Sequence, residues 1–119
     1  MLRIGSTVMG ASDVRRAAEF WGRALGYVPR DEPEETWAVL TPPDGDGQNV
    51  SLMLSETPVQ ERPRVHLDLY TPAPAEEIAR LLGLGASRVE WSDYPPDADF
   101  TVLADTEGNR FCVIDTGHH

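Results

Sequence analysis

The sequence predicts an α+β fold in which one β-α-β-β-β unit is used twice. Two observations carry this. Within each half of the 119-residue chain, segments of strand and helix periodicity follow the order strand, helix, strand, strand, strand. The halves also align at an offset near 60 residues, which sets "LTPPDG" on "LADTEG", "ALGY" on "GLGA" and Asn49 on Asn109. The same offset sets Ser6 on His66 and Leu52 on Cys112. A repeat of this length decides the fold before any single element does.

Each element has a local reason. Residues 2–9, "LRIGSTVM", alternate loosely and suit a first strand. Ser12 or Asp13 can then cap a helix whose apolar positions are Val14, Ala17, Ala18, Trp21, Ala24 and Leu25. Their spacings of three and four make one buried face, and Gly26 is a natural stop. "YVPRDE" leaves as a short extended piece, and residues 36–41 and 49–54 read as strands around the Asp-Gly turn "PPDGDGQ". The polar, proline-bearing stretch 55–64 reads as a linker. The order then repeats. "VHLDLY" (65–70) puts Val65, Leu67 and Leu69 on one strand face, and "AEEIARLLGLG" makes a short helix with Glu76 and Glu77 in its first turn. Its buried side is Ile78, Leu81 and Leu82. "SRVEW", "FTVLAD" and "RFCVID" read as strands, with the loop "DYPPDAD" and the turn "TEGN" between them.

Composition narrows the function. An apolar fraction of 40% and a charged fraction of 25% fit a globular domain. The net charge of -10, with arginines scattered and no basic stripe, excludes nucleic acid and anionic membranes as partners. No apolar run approaches the roughly 20 residues of a membrane span. One cysteine cannot form an internal disulfide, and no leader-like segment opens the chain. A reduced, cytoplasmic compartment is expected. His118 and His119 are either the native end or a tag remnant and are kept out of the site.

The stretch "SDVRRAAEFWGRALGY", through Asp13, Phe20, Trp21, Leu25, Gly26 and Tyr27, resembles the first helix of the vicinal oxygen chelate superfamily. That superfamily includes glyoxalase I, the bleomycin-resistance proteins and the extradiol dioxygenases. "DTEGNRFCVID" resembles its closing Asp-Pro-(Asp/Glu)-Gly-Asn turn and last strand, with Thr106 where proline is usual. "RVHLDLY" followed by "LLGLGASRV" is similar to the second half of the glyoxalase-like branch. The resemblance implies the glyoxalase/bleomycin resistance/dihydroxybiphenyl dioxygenase fold. One glyoxalase-like domain over 1–119 would hold two βαβββ modules, about 1–57 and about 65–119, joined by a linker at about 58–64. Each module would form a cupped mixed sheet, and paired modules would enclose a ligand cavity.

The resemblance further implies that metal ligands, where present, come from the first and last strands of each module. Those positions fall on Ser6, about Leu52, His66 and Cys112. Metal-dependent relatives mostly carry His, Gln or Glu there, and only His66 is kept. Zinc wants about three protein ligands beside an open position. His66 and Cys112 are acceptable, Asp68 lies on the same strand face, Ser6 is poor and Leu52 is none. No cofactor is therefore predicted, and a divalent metal at His66 is the weaker alternative.

The same residues allow a second chemistry. A His beside a Cys can lower the thiol pKa and act as base, with Asp68 orienting the ring. The catalytic candidates are thus His66, Cys112 and Asp68. Against this, a cysteine between Phe111 and Val113 is often a small buried hydrophobe. The expected ligand-binding set is Trp37, His66, Trp91, Arg110 and Cys112. Trp37 and Trp91 offer aromatic walls from opposite halves, and Arg110, alternating with Cys112, can reach the cavity mouth and hold an anion. The acidic loops 31–35 and 93–99 are solvated edges or lids. The function predicted is small-molecule binding in the glyoxalase/bleomycin-resistance manner without the standard metal. Alternatives are a lyase-, isomerase- or Cys/His-type enzyme in the same cup, or an interaction module. A homodimer is compatible with either arrangement of the cup.

Overall fold

The computed structural model describes residues 1–117, which divide into a first unit of residues 1–58 and a second beginning at Val59. His118 and His119 lie outside the described residues. The first unit runs β1 (Ser6–Ala11), α1 (Val14–Leu25), β2 (Val28–Pro29), β3 (Trp37–Thr41) and β4 (Asn49–Leu54). Its sheet has the order β1-β4-β3-β2, with β1 parallel to β4 and the other pairs antiparallel. The second unit repeats this with β5 (Asp68–Thr71), α2 (Pro74–Leu84), β6 (Ser87–Arg88), β7 (Phe100–Ala104) and β8 (Arg110–Asp115). Its order is β5-β8-β7-β6, again with the first and last strands parallel.

The helices start and stop where side-chain chemistry dictates. Asp13 caps α1 by accepting the Arg16 N–H at 3.1 Å on its carboxylate. Gly26 ends it in the left-handed region at φ 70°, which a residue with a Cβ adopts only at a cost. Val14, Ala17, Ala18, Phe20 and Trp21 are buried, and the Phe20 and Trp21 rings meet edge to face at 5.1 Å. This face packs on the β3–β4 side that carries the fully buried Leu40 and Leu52. α2 has no side-chain cap. Instead Pro74 occupies its start, and Thr71 Oγ1 accepts the Ala73 N–H at 3.0 Å just before it. Ile78 and Leu81 are its buried residues, while Leu82 stays part-exposed.

Three strands differ from the sequence expectation. β1 starts at Ser6, and Leu2 and Ile4 are exposed, because the parallel partner β4 begins only at Asn49. β5 starts at Asp68, and Val65, 81% exposed, leaves the expected apolar row. β6 stops at Arg88 and faces only Leu103 and Ala104. Trp91 is therefore on no strand. Beyond β6 the edge of β7 is covered in another way. Tyr94 Oη accepts the Val102 N–H at 2.8 Å, and its ring packs on Phe100 at 5.2 Å.

The β7–β8 turn is built on one buried carboxylate. Asp105 is 3% exposed, and its Oδ1 accepts the N–H groups of Glu107 and Asn109, each at 2.9 Å. The Asp105 N–H donates to the Asn109 carbonyl at 2.9 Å, and Gly108 crosses the turn at φ 90°. The matching turn of the first unit rests on Asp44, whose exposed carboxylate accepts the Asp46 N–H and no second backbone donor among the described residues. Replacing Asp105 orphans two shielded donors, whereas replacing Asp44 returns one donor to water. Asp105→Ala is expected to lower unfolding free energy in urea by about 3 kcal/mol. Asp44→Ala should change it by less than about 0.5 kcal/mol.

Candidate functional site

The second unit places its reactive side chains on one sheet face. Asp68 lies opposite Cys112 and Tyr70 opposite Ile114 in the parallel β5–β8 pair. The Cys112 N–H also donates to the Leu67 carbonyl at 2.9 Å, which carries the ladder back toward His66. Successive strand residues alternate between faces. Phe111 and Val113 are thus buried on the α2 side, and Arg110, Cys112 and Ile114 point the other way with His66 and Asp68.

His66 Nε2 sits 3.0 Å from Asp68 Oδ1. One ligating atom each from His66, Asp68 and Cys112 falls within a mutual 4.8 Å. The imidazole and carboxylate are half-exposed and the thiol is partly buried. Burial pushes the Cys112 thiol up to about 11, and the charge of Asp68 and its hydrogen bond with the thiol push in the same direction. The expected lowering by His66 is therefore corrected. The carboxylate opposite the sulfur opposes a second negative charge, and the thiol stays protonated at neutral pH.

The first unit holds different chemistry at the same positions. Val8 pairs with Ser51 as Asp68 pairs with Cys112, so Ser51, not Leu52, is the counterpart of Cys112. Leu52 belongs to the opposite, fully buried face. The offset between halves is 60 residues for the first strands and 61 for the last, and one residue inverts a strand face. Ser6 Oγ and Ser51 Oγ share a hydrogen bond at 2.8 Å, and Ser51 is buried. The four-ligand metal set implied by the resemblance does not fit these residues. Two of its positions are hydroxyls satisfied by each other, and hydroxyls are poor ligands for zinc, iron or nickel.

Arg110 and Trp91 meet in a pocket of about 360 Å³, whose wall also includes Glu61, Arg62, Arg88, Val89 and Glu90. The Arg62 guanidinium lies over the Trp91 ring at 5.1 Å and pairs with Asp93. Trp37 stands at the start of β3 in the first unit, opposite Met53, and both are exposed. The second unit thus brings together His66, Asp68 and Cys112 on one face, with Arg110 on the same side and Trp91 in its pocket. Arg62 and Arg88 were not legible in the sequence. One lies in a polar linker and one at a strand end, and no spacing rule connects them with Arg110.

Iodoacetamide is expected to alkylate Cys112 slowly at neutral pH, with a rate that climbs toward pH 11. Asp68→Asn removes the opposing charge and should shift that profile to lower pH. An unchanged profile would show that burial alone holds the proton.

The family of glyoxalase-like domains matches residues 6–114. Among solved structures, a glyoxalase/bleomycin resistance protein/dioxygenase family enzyme from Burkholderia phytofirmans is similar with a TM-score of 0.72. It is 13% identical, and the match covers 94% of this chain and 97% of that one. A glyoxalase-related enzyme from Fulvimarina pelagi gives a TM-score of 0.69 at 18% identity, covering 96% and 88%. A possible glyoxalase from Bacillus cereus gives 0.67 at 19% identity, covering 96% and 99%. At these identities the likeness concerns the fold. No curated protein matches the chain. The repeated β-α-β-β-β unit, the parallel first and last strands and the family match over 6–114 together place the chain in the glyoxalase-like domain family, within the vicinal oxygen chelate superfamily.

Proposed function

We propose that the protein binds a small molecule on the open sheet face of the second unit, without the standard metal of its superfamily. The observation that carries the binding part of this reading is the placement of His66, Asp68 and Cys112 on the face that bears Arg110, which also lines the pocket beside Trp91. The pocket offers an aromatic wall and convergent polar groups, the usual makings of a small-molecule site. The neighbouring groups supply hydrogen bonds rather than a nucleophile. The protonated thiol is a weak donor, and the imidazole is oriented by the carboxylate 3.0 Å away. Ser6 and Ser51 support the metal-free part of the reading, since neither is a competent metal ligand. The lone free thiol suits a reducing, cytoplasmic setting.

The His66–Asp68 pair favours one second reading. An imidazole held by a carboxylate is the arrangement of a general base, so lyase or isomerase chemistry by proton transfer is the enzymatic alternative. In that reading His66 takes the proton, Asp68 positions the ring, and Cys112 lines the face without attacking.

Calorimetry with Zn²⁺, Ni²⁺, Co²⁺, Mn²⁺ and Fe²⁺ tests the metal-free reading on tag-free protein. No stoichiometric binding is expected. Stoichiometric binding lost in His66→Ala would overturn it. Flat aromatic molecules should raise the melting temperature in the presence of chelator, and Trp91→Ala and His66→Ala should each reduce that shift.

A further inference from the structure

The pocket beside Trp91 contains an arginine in an unusual state. Arg110 is partly buried, and its Nε is shielded from solvent with no hydrogen-bond partner among the described residues. A shielded N–H left unpaired costs about 1–3 kcal/mol, and each such group calls for an explanation, a bound water or ion among them. The chain has 20 acidic residues against 10 arginines. Most arginines with a described ion pair sit on the exposed surface, as Arg23 does with Glu19 and Arg80 with Glu77. Among the described residues Arg110, the partly buried one, has no carboxylate within ion-pairing distance, and neither does Arg88 on the same pocket wall. Arg62, the third arginine there, is already neutralised by Asp93.

We infer that this pocket takes the carboxylate of a small organic acid, with Arg110 as its anchor at the floor and Arg88 as the second cation at the rim. This rests on the small-molecule reading above and names its ligand class. Glu61 and Glu90 also line the pocket, so the wall is not uniformly positive. Both are exposed, and water and salt screen rim charges. Arg110 is partly buried in the pocket wall, where screening is weaker and a charge-assisted bond is stronger than one at the surface. A guanidinium presents paired N–H groups in one plane, which matches a carboxylate edge. The Trp91 ring supplies the apolar wall for the remainder of the acid. Arg110 also lies two residues before Cys112 on the same strand face, so an acid held here reaches toward His66.

The test uses benzoate and its neutral isostere benzamide as probes, titrated calorimetrically at matched ionic strength into the full chain. Benzoate is expected to bind at least about tenfold more tightly than benzamide, and added salt should weaken benzoate alone. Arg110→Gln and Arg88→Gln should each weaken benzoate about tenfold, the equivalent of one charge-assisted hydrogen bond, and leave benzamide unchanged. Arg88 is exposed, so its variant folds even where Arg110→Gln does not. Arg80→Gln, outside the pocket, should leave benzoate affinity as it was. Equal affinity for the two probes, or no loss in either pocket variant, would overturn the inference. Benzamide binding that needs His66 while benzoate fails to bind would overturn the carboxylate alone and leave the small-molecule reading standing. Failure of both probes would count against both.

Discussion

Strand β8 pairs on both sides, with β5 in parallel and β7 antiparallel, and Arg110, Cys112 and the facing Asp68 take their positions from that register. The register is held by the turn on Asp105. Its buried carboxylate closes a loop of hydrogen bonds with Glu107 and Asn109, and Gly108 supplies the one backbone conformation the turn requires. A slip of one residue in β8 would turn Cys112 and Arg110 toward α2 and bring Phe111 and Val113 out. The most conspicuous polar turn in the sequence is therefore a positioning device. It sets which side chains of the last strand meet Asp68.

Much of this was legible in advance. β4 and β8 have the bounds that alternation gives, and Asp13 and Gly26 bracket α1 as their chemistry requires. The placement of Phe111 and Val113 in the core and Cys112 on the open face follows from period two. What was not legible came from pairing and from charge. The two halves align at 60 residues through their first strands but at 61 through their last, so a single offset put Leu52 where Ser51 belongs. "SRVEW" has strand character that extends to Trp91, yet β6 ends at Arg88. Strand alternation gives Asp68 a role in orienting the imidazole, but burial of the sulfur, with the charge of Asp68 facing it across the pair, raises the thiol's pKa. The arginine pocket gathers residues 62, 88 and 110, and only the folded chain relates them.

The two units make opposite use of one scaffold position. In the first, Ser6 and Ser51 satisfy each other with neutral hydroxyls and leave nothing to titrate. In the second, the corresponding residues are an imidazole and a thiol, joined by the carboxylate that stands where the first unit has Val8. A repeat that began symmetric would carry both halves of a site equally. Here the titratable chemistry is confined to one half.

The short β6 leaves a sheet edge that the chain finishes without a strand. Residues 89–99 contain Pro95 and Pro96, which cannot donate to a ladder, yet the Tyr94 hydroxyl takes up the Val102 N–H that a longer β6 would have claimed. An exposed strand edge with free donors is a template for pairing with another chain. A phenol in that place ends the sheet as a strand would, while presenting no further backbone to extend it. The closure of this edge at Val102 thus rests on one side-chain oxygen, and a Tyr94→Phe chain would keep the ring packing on Phe100 while leaving that donor free.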